Sequence, residues 1–232
     1  MKYPKLAVIV PAWNEEGAVA AVVRAVRNAV PLATVLVIDD HSQDATADIA
    51  EQAGATVLRM PVHTGLGGCL RAGYRAALDS GCDYLVRVDG DGQHEAADIP
   101  VMLAALTASR CDAVIGSRFV APNGWRSPLA RSLGIALFRG LLAPALGKTI
   151  HDPTSGFVGF NRRALAVLAD AMPSVYPEIG ALITLRRHHL SFQEIPCRMY
   201  PRRTGRSSFT ARRSFHYTIS VLTGILLNAI RE

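Results

Sequence analysis

Short apolar runs alternate with helical patterns over the first 120 residues, and this alternation restricts the fold more than any other feature. Five runs are rich in Val and Ile: 6–11, 34–39, 55–60, 84–89 and 112–117. Helical patterns lie between them, at 15–29, 44–53, 66–80 and 96–108. Uninterrupted apolar runs of this length are typical of strands buried on both faces. The pattern therefore predicts an α/β fold with a Rossmann-like, mostly parallel sheet flanked by helices.

Beyond residue 120 the alternation weakens. A turn-rich stretch at 151–165 leads into a helix, 178–189 predict another helix, and 192–200 predict a strand. The 17 residues 214–230 contain no Asp, Glu, Lys or Arg, just short of the ~18–20 that span a membrane. Polar residues recur in that segment at helical spacing. We therefore expect an amphipathic helix in the lipid interface, with a helix packed on the domain itself as the alternative.

The net charge of +6 is unevenly distributed. Residues 200–214 hold five arginines and no acid, which predicts an anionic partner such as phosphate or anionic lipid, or else a solvated basic surface. No nucleic-acid module or aromatic stacking stripe accompanies the arginines, so we expect no nucleic-acid partner. The four cysteines form no C-x-x-C pair, and the N-terminus shows no signal-peptide pattern. These features predict buried, reduced thiols in a cytoplasmic protein.

Polar residues gather directly after three of the predicted strands. They are Asn14, Glu15, Asp39, Asp40, Asp89 and Asp91. In open parallel sheets, ligands bind at the carboxyl ends of the strands. Asp89 and Asp91 flank a single glycine, and two carboxylates so close together favour a hard cation between them. Mg²⁺ and Mn²⁺ take oxygen ligands and share substrate phosphates, so the pattern predicts a metal site for a phosphorylated substrate.

Seven motifs occur in an order that resembles the family 2 glycosyltransferases. They are VIVPAWNEEGAV (8–19), VLVIDDHSQDAT (35–46), HTGLGGCLRAG (63–73), VRVDGDGQH (86–94), VIGSRF (114–119), DPTSGFVGFNRRAL (152–165) and RRTGRSS (202–208). The chain resembles the dolichol- or polyprenol-phosphate mannose synthases of the soluble type, without a C-terminal membrane domain. The resemblance implies a GT-A glycosyltransferase domain over 1–208. A basic, amphipathic helix, associated with the membrane or a partner, would follow over 209–232.

The resemblance also implies an activity. The expected reaction is metal-dependent and inverting, from a UDP- or GDP-sugar to a polyprenyl (undecaprenyl or dolichyl) phosphate. It would take place at the cytoplasmic face of the membrane, with the enzyme bound peripherally and paired with a small separate membrane subunit. The alternative within the family is transfer to a hydroxyl of a cell-surface glycan or of a lipid-linked intermediate.

Roles for individual residues follow from the resemblance. The nucleoside would be lined by Pro11, Ala12, Asn14 and Glu15, and its base would be contacted by Asp39 or Asp40. The metal and the diphosphate would be held by Asp89 and Asp91. Gln93 would lie beside the diphosphate or the sugar. Gly67 belongs to a glycine run that lets a helix start approach the nucleotide, or forms a tight turn. Helix-terminus charge compensation is the alternative role for Glu15.

Arginines and a further carboxylate complete the expected catalytic set. Arg118, Arg131 and Arg202 match arginines that face phosphates, for which the planar guanidinium is suited. Asp152 would deprotonate a hydroxyl acceptor, or orient arginines or the donor, or cap a turn. Glu178 is a second, weaker candidate for a similar position in the site. Two departures from the family are His63, where Asn is usual, and Ser208, where Lys is usual.

Other classes of protein fit less well. The glycines of residues 65–73 resemble a dinucleotide fingerprint, but a dehydrogenase carries them in its first strand–helix turn, which here is P-A-W-N-E-E-G. A nucleotidyltransferase would show an early glycine-rich loop with Arg and Lys. A non-enzymatic lipid-docking protein would have no reason to keep the two aspartates and three arginines together.

Overall fold

A seven-stranded sheet forms the centre of the fold. The structure, a computed structural model, describes residues 4–120, 139–140, 142–174 and 176–200. The strands are β1 Leu6–Ala12, β2 Thr34–Asp39, β3 Thr56–Arg59, β4 Tyr84–Arg87, β5 Ala113–Ser117, β6 Val158–Asn161 and β7 Phe192–Pro196. Their order in the sheet is β3-β2-β1-β4-β6-β5-β7. Strand β6 is antiparallel to both of its neighbours, and every other pairing is parallel.

Residues 139–140 and 142–146 are helical, and six further helices connect the strands of the described chain. They are α1 Val19–Ala29, α2 Thr46–Gln52, α3 Gly65–Asp79, α4 Ile99–Ala108, α5 Arg162–Ala171 and α6 Pro177–Arg187, and a 3-10 helix, Ala96–Asp98, leads into α4. Each helix predicted within the described ranges is present, with ends shifted by a few residues. Gly54 follows α2 with a φ of +94°, a left-handed conformation that glycine adopts readily at a helix end.

Side chains of β1 alternate between two cores. Ala7 and Ile9 face one core, whereas Val8 and Val10 face the other. Helices α3, α5 and α6 cover the first core, and α1, α2 and α4 cover the second. The sheet is therefore buried on both faces, as the apolar runs predicted.

Strand β6 corrects one expectation. Residues 151–165 were expected to form turns before a helix, but Val158–Asn161 pair with both β4 and β5. Gly159 lies inside this strand because a Cβ there would be 2.9 Å from Met102 of α4. A glycine within a strand can thus mark close packing rather than a turn.

The carboxylate of Asp112 fastens three strands together. Its Oδ2 accepts hydrogen bonds from the backbone N–H of Ser191 (2.8 Å) and from the Ser191 hydroxyl (3.0 Å), beside β7. Its Oδ1 accepts from the side-chain amide of Asn161 at the end of β6 (3.0 Å). Burial would raise the pKa of Asp112, but the hydrogen bonds from Ser191 and Asn161 lower it below its ordinary value of 3.8.

We expect Asp112→Asn to lower the free energy of unfolding by about 1.5–3 kcal/mol at pH 7, the range for hydrogen bonds to a charged group. Because the folded-state pKa is depressed, the contribution is present above pH 3.8 and is lost as the pH falls through the folded-state pKa. Urea unfolding at pH 7 and at lower pH measures the effect. A difference between variant and wild type that does not shrink in acid would contradict this account.

The four cysteines are buried and form no disulfide. Burial raises the pKa of the Cys69 and Cys197 thiols to about 12, so both are protonated at neutral pH. The expectation of buried, reduced thiols is confirmed. None of the helices in the described ranges combines the length and apolarity that crossing a membrane requires.

Candidate active site

The predicted site residues come together at the carboxyl edge of three adjacent strands. The parallel register pairs Ala12 of β1 with Asp39 of β2. Gly90, after β4, lies so close to β1 that a Cβ would be 3.0 Å from the carbonyl oxygen of Pro11. The D-G-D segment therefore folds against the end of β1, and the middle position has little room for a side chain.

The loop after β1 is fastened to the loop after β2. The backbone N–H of Asn14 donates to the Ser42 hydroxyl (2.9 Å), and the Asn14 amide oxygen accepts from the backbone of Gln43 (2.8 Å). The backbone of Glu15 donates to the Thr46 hydroxyl (2.8 Å). Asn14 has a φ of +53°, a left-handed conformation that Asn tolerates better than most residues. These bonds give the edge of the predicted nucleoside site a defined shape.

Asp39 and Asp40 differ in how their oxygens are used. Asp40 Oδ1 accepts from the backbone and hydroxyl of Thr64, both at 2.8 Å, and its Oδ2 lies 3.0 Å from Nδ1 of His63. Asp40 thus holds the start of α3. Asp39 Oδ2 accepts from the backbone of Ser42 (3.3 Å), whereas its buried Oδ1 has no hydrogen-bond partner in the described part of the chain.

Trp13 adds an aromatic surface that the sequence analysis did not identify. Trp13 lies at the same edge, is about half exposed (48%), and packs its ring against His63 with centroids 4.5 Å apart and ring planes tilted by 32°. His63, which replaces the usual Asn of the family, therefore both contacts Asp40 and supports this indole. A tryptophan directly after a buried strand was the signal available in the sequence.

Gly67 has a packing reason for being glycine. A Cβ at this position would lie 2.5 Å from the carbonyl oxygen of Ser174 and 2.6 Å from that of Pro173. The start of α3 thus packs directly on the backbone that precedes α6. Its role toward a nucleotide stays a prediction.

A buried arginine lies beneath the D-G-D segment. Arg87, at the end of β4, is only 3% exposed, and its guanidinium donates to Asp89 Oδ1 (3.1 and 2.9 Å) and to Glu178 Oε1 (3.1 Å). Burial alone would lower the pKa of Arg87, but the carboxylates of Asp89 and Glu178 raise it above its ordinary value. Gly156 leaves room for this arrangement, since a Cβ there would be 2.8 Å from Asp89 Oδ1.

The rest of the D-G-D-G-Q-H segment is held by its own backbone and by residues 199–200. Asp91 is buried, and its Oδ1 accepts from the backbone of Gln93 (3.0 Å). The backbones of Gln93 and Tyr200 are joined by a hydrogen bond of 2.8 Å, and the Gln93 side chain donates to the Tyr200 carbonyl (3.2 Å). The chain that continues into the arginine-rich stretch therefore begins beside this segment.

Arg118 and Asp152 form a second buried ion pair. Asp152 is fully buried, and the Arg118 guanidinium donates to Oδ2 (2.6 Å) and to Oδ1 (2.5 Å). The backbone N–H of Asp152 donates to Glu194 Oε1 (2.7 Å), and Glu194 Oε2 accepts from the backbone of His151 (2.7 Å). Burial would lower the pKa of Arg118, but the hydrogen bonds and charge of Asp152 raise it. Glu194 is thus a supporting residue that the sequence did not indicate.

Several predicted residues lie outside the described ranges. They are Arg131, Arg202, the departure at Ser208, the domain boundary at 208 and the amphipathic helix within 209–232. Their assignments stay predictions. Within the described ranges, no group of three or more His, Cys, Asp or Glu side chains is arranged to hold a metal ion.

Comparison with known proteins agrees with this arrangement. Residues 7–168, more than half of the chain, match the family described as Glycosyl transferase family 2. An undecaprenyl-phosphate mannosyltransferase of Micrococcus luteus is 34% identical over 212 residues, 87% of this chain and 86% of the relative. The polyprenol monophosphomannose synthase of Mycolicibacterium smegmatis is 32% identical over 170 residues, 68% of this chain and 62% of the relative.

A solved structure shares the fold. The glucosyl-3-phosphoglycerate synthase of Mycobacterium tuberculosis, in complex with Mn²⁺, uridine diphosphate and glucosyl-3-phosphoglycerate, matches with a TM-score of 0.74 at 24% identity. The match covers 97% of this chain and 79% of that chain. The chain belongs to glycosyltransferase family 2. It is a glycosyltransferase with a GT-A type fold, as the motifs predicted.

Proposed function

We propose that this enzyme is a metal-dependent, inverting glycosyltransferase that moves a sugar from a UDP- or GDP-sugar to a polyprenyl phosphate. Two relatives that are more than 30% identical carry names that specify polyprenyl-phosphate acceptors, which supports the acceptor class. The solved relative in complex with Mn²⁺ and uridine diphosphate supports the type of donor. The geometry of the site bears on the place of the donor nucleoside, on the metal and on the acceptor.

The donor nucleoside would lie at the ends of β1 and β2. Asp40 already uses both carboxylate oxygens to hold Thr64 and His63, whereas Asp39 keeps a buried oxygen without a partner in the described chain. A buried acceptor without a donor is costly. Of the two predicted base contacts, Asp39 is therefore the one with an acceptor to offer to a base N–H. The exposed indole of Trp13 supplies a flat apolar surface beside it.

A divalent cation fits the charge of the site. Among the described residues, three carboxylates, those of Asp89, Glu178 and Asp152, pair with two guanidinium groups, those of Arg87 and Arg118, so the carboxylates outnumber the guanidinium groups of these pairs. Asp89 and Asp91 would hold Mg²⁺ or Mn²⁺, because these ions accept two protein carboxylates and complete their shells with water and phosphate oxygens. The ion would supply charge neutralisation for the departing diphosphate.

The ion pair between Asp152 and Arg118 is the observation that favours a phosphate acceptor over a hydroxyl acceptor. A hydroxyl acceptor needs a carboxylate to remove its proton, whereas a phosphate oxygen is already anionic near neutral pH. Asp152 has no exposed surface and both of its oxygens accept hydrogen bonds from Arg118. Glu178, the second base considered from the sequence, bonds to buried Arg87. Both carboxylates are committed to arginines, which favours an acceptor that needs no base.

The proposed reaction then requires positioning and charge from this chain. An acceptor phosphate oxygen forms a bond to the anomeric carbon while the bond from that carbon to the diphosphate oxygen breaks. The nucleoside diphosphate leaves and the configuration inverts. Arg118 holds both oxygens of Asp152, and Arg87 anchors one oxygen of Asp89, so the carboxylates are already close to their working positions before substrate binds.

A pair of lipids that differ only in the phosphate tests this proposal. We expect the full chain, with Mg²⁺ or Mn²⁺ and a labelled UDP- or GDP-sugar, to glycosylate undecaprenyl phosphate and to leave undecaprenol unmodified. Chromatography of the extracted lipid measures the product. Equal transfer to the alcohol would show that the enzyme activates a hydroxyl, and would favour the alternative of a glycan or lipid-linked hydroxyl acceptor.

The membrane is part of the proposal because the acceptor lies in it. Each basic residue near an anionic surface contributes about 1 kcal/mol of attraction, and residues 200–214 hold five arginines. Tyr200, bonded to Gln93, places the start of this stretch beside the site. We propose peripheral binding at the cytoplasmic face, with a small separate membrane subunit as the docking partner of residues 214–230.

A further inference from the structure

His94 closes the D-G-D-G-Q-H motif, and neither the sequence nor the proposed function gives it a role. Its side chain is 1% exposed and stacks on Phe157 with ring centroids 5.3 Å apart. Burial lowers its pKa, although the nearby carboxylates of Asp89 and Asp91 act in the opposite direction. The ring therefore lies inside the core, directly behind the two aspartates.

Its hydrogen bonds determine which nitrogen carries the proton. The backbone N–H of Asp89 donates to His94 Nδ1 at 3.2 Å, so Nδ1 is the unprotonated nitrogen. In a neutral imidazole the proton must then lie on Nε2. That Nε2–H is buried and has no hydrogen-bond partner among the described residues, and Asp89 Oδ2 lies 3.9 Å from it.

A buried donor without an acceptor destabilises a fold, and packing alone does not require one. An asparagine could accept the backbone N–H of Asp89 in place of Nδ1, and a phenylalanine could fill the place beside Phe157, and neither would bury a ring N–H. Here the unsatisfied donor points at one oxygen of a predicted metal ligand, while Arg87 bonds to the other oxygen. A small rotation of the Asp89 side chain would bring Oδ2 within hydrogen-bonding distance of Nε2.

We propose that His94 is a positioning residue that orients the Asp89 carboxylate for the metal–diphosphate site. This inference rests on the proposed function. Its Nδ1 holds the backbone of Asp89 and its Nε2–H donates to Oδ2 when the site is loaded. With Oδ1 accepting two bonds from Arg87, Oδ2 can accept the Nε2–H with one lone pair and ligate an ion with the other. Hydrogen bonds to a ligating carboxylate set its orientation, and their loss weakens metal binding.

Three variants separate the two nitrogens. In His94→Asn the amide oxygen takes the place of Nδ1, so the acceptor is kept and the Nε2–H donor is lost. In His94→Gln the amide nitrogen reaches the place of Nε2, so the donor is kept and the Nδ1 acceptor is lost. Both remove the ring from Phe157, so they serve as matched controls for packing. His94→Phe keeps a ring and loses both polar contacts.

Binding of Mn²⁺ to the full chain is measured, with UDP or with GDP present, from the electron paramagnetic resonance signal of free Mn²⁺. The melting temperature of each variant is measured as well.

We expect the Mn²⁺ affinity of His94→Asn and of His94→Phe to fall by about 10-fold or more, the effect typical of removing an outer hydrogen bond to a metal ligand. His94→Gln should bind Mn²⁺ nearly as well as the wild type, although its melting temperature falls like that of His94→Asn. Equal affinity of the Asn and Gln variants, or wild-type affinity of the Phe variant, would overturn the inference alone. A wild-type chain that binds no Mn²⁺ with either nucleotide would overturn the proposed function as well.

Discussion

Replacing Asp91 with asparagine is expected to lower the rate of sugar transfer by about a thousandfold or more. A metal ion contributes several kcal/mol to such a reaction, and about 4 kcal/mol corresponds to a factor of a thousand. Asparagine keeps an oxygen to accept the hydrogen bond from the backbone of Gln93, so the segment should hold its shape while the ligand charge is lost. Turnover of the labelled nucleotide-sugar into glycosylated lipid measures the effect.

Asp79→Asn is the matched control. Asp79 is exposed at the last position of α3, at the opposite edge of the sheet from the site. The same change of charge there should leave the rate unaltered. If Asp91→Asn retains most of the activity while folding normally, the assignment of Asp91 to the metal site is wrong.

Arg118→Met is expected to lower the free energy of unfolding by about 3–5 kcal/mol, the cost of leaving a buried carboxylate without its partner. Asp152 is fully buried and Arg118 is 8% exposed, so water cannot replace the lost guanidinium without opening the core. Against a typical total stability of about 5–15 kcal/mol, this is a large loss. Guanidinium chloride unfolding of the variant and the wild type measures it.

The double variant Arg118→Met/Asp152→Asn separates a buried charge from a loss of packing. With both charges removed, no unpaired carboxylate remains, and the amide oxygen can still accept from the backbone of residue 118, as Asp152 Oδ2 does now at 3.1 Å. We therefore expect the double variant to be more stable than Arg118→Met alone. If the two substitutions instead add, the pair is not coupled as the structure indicates.

The sequence was sufficient for the sheet because buried parallel strands leave a local signal. The runs that became β1 to β5 needed only their own composition to be recognised. Strand β6 was missed because it has only four residues, follows a turn and contains Gly159. That glycine is required by Met102, a contact between positions far apart in the chain.

The candidate site shows the same limit. The aspartates after β2 and β4 were predicted because strand ends and neighbouring charges are visible in sequence. The buried partners of these carboxylates were not predicted, because the contacts are long-range in sequence. Arg87 and Glu178 are 91 positions apart, and Asp152 and Glu194 are 42 positions apart. Asp152 was considered as a base, turn cap or orienting group, and only its burial against Arg118 distinguishes among these uses.

Calorimetric titration of the full chain with UDP and with GDP, in Mn²⁺ and again in EDTA, tests the central claim most directly. The carboxylates of Asp89 and Asp91 should repel the diphosphate of a nucleotide unless a divalent ion lies between them. We predict that one of the two nucleotides binds in Mn²⁺ and that its binding is lost in EDTA. Binding of equal affinity in both conditions would show that Asp89 and Asp91 do not hold a metal for the diphosphate.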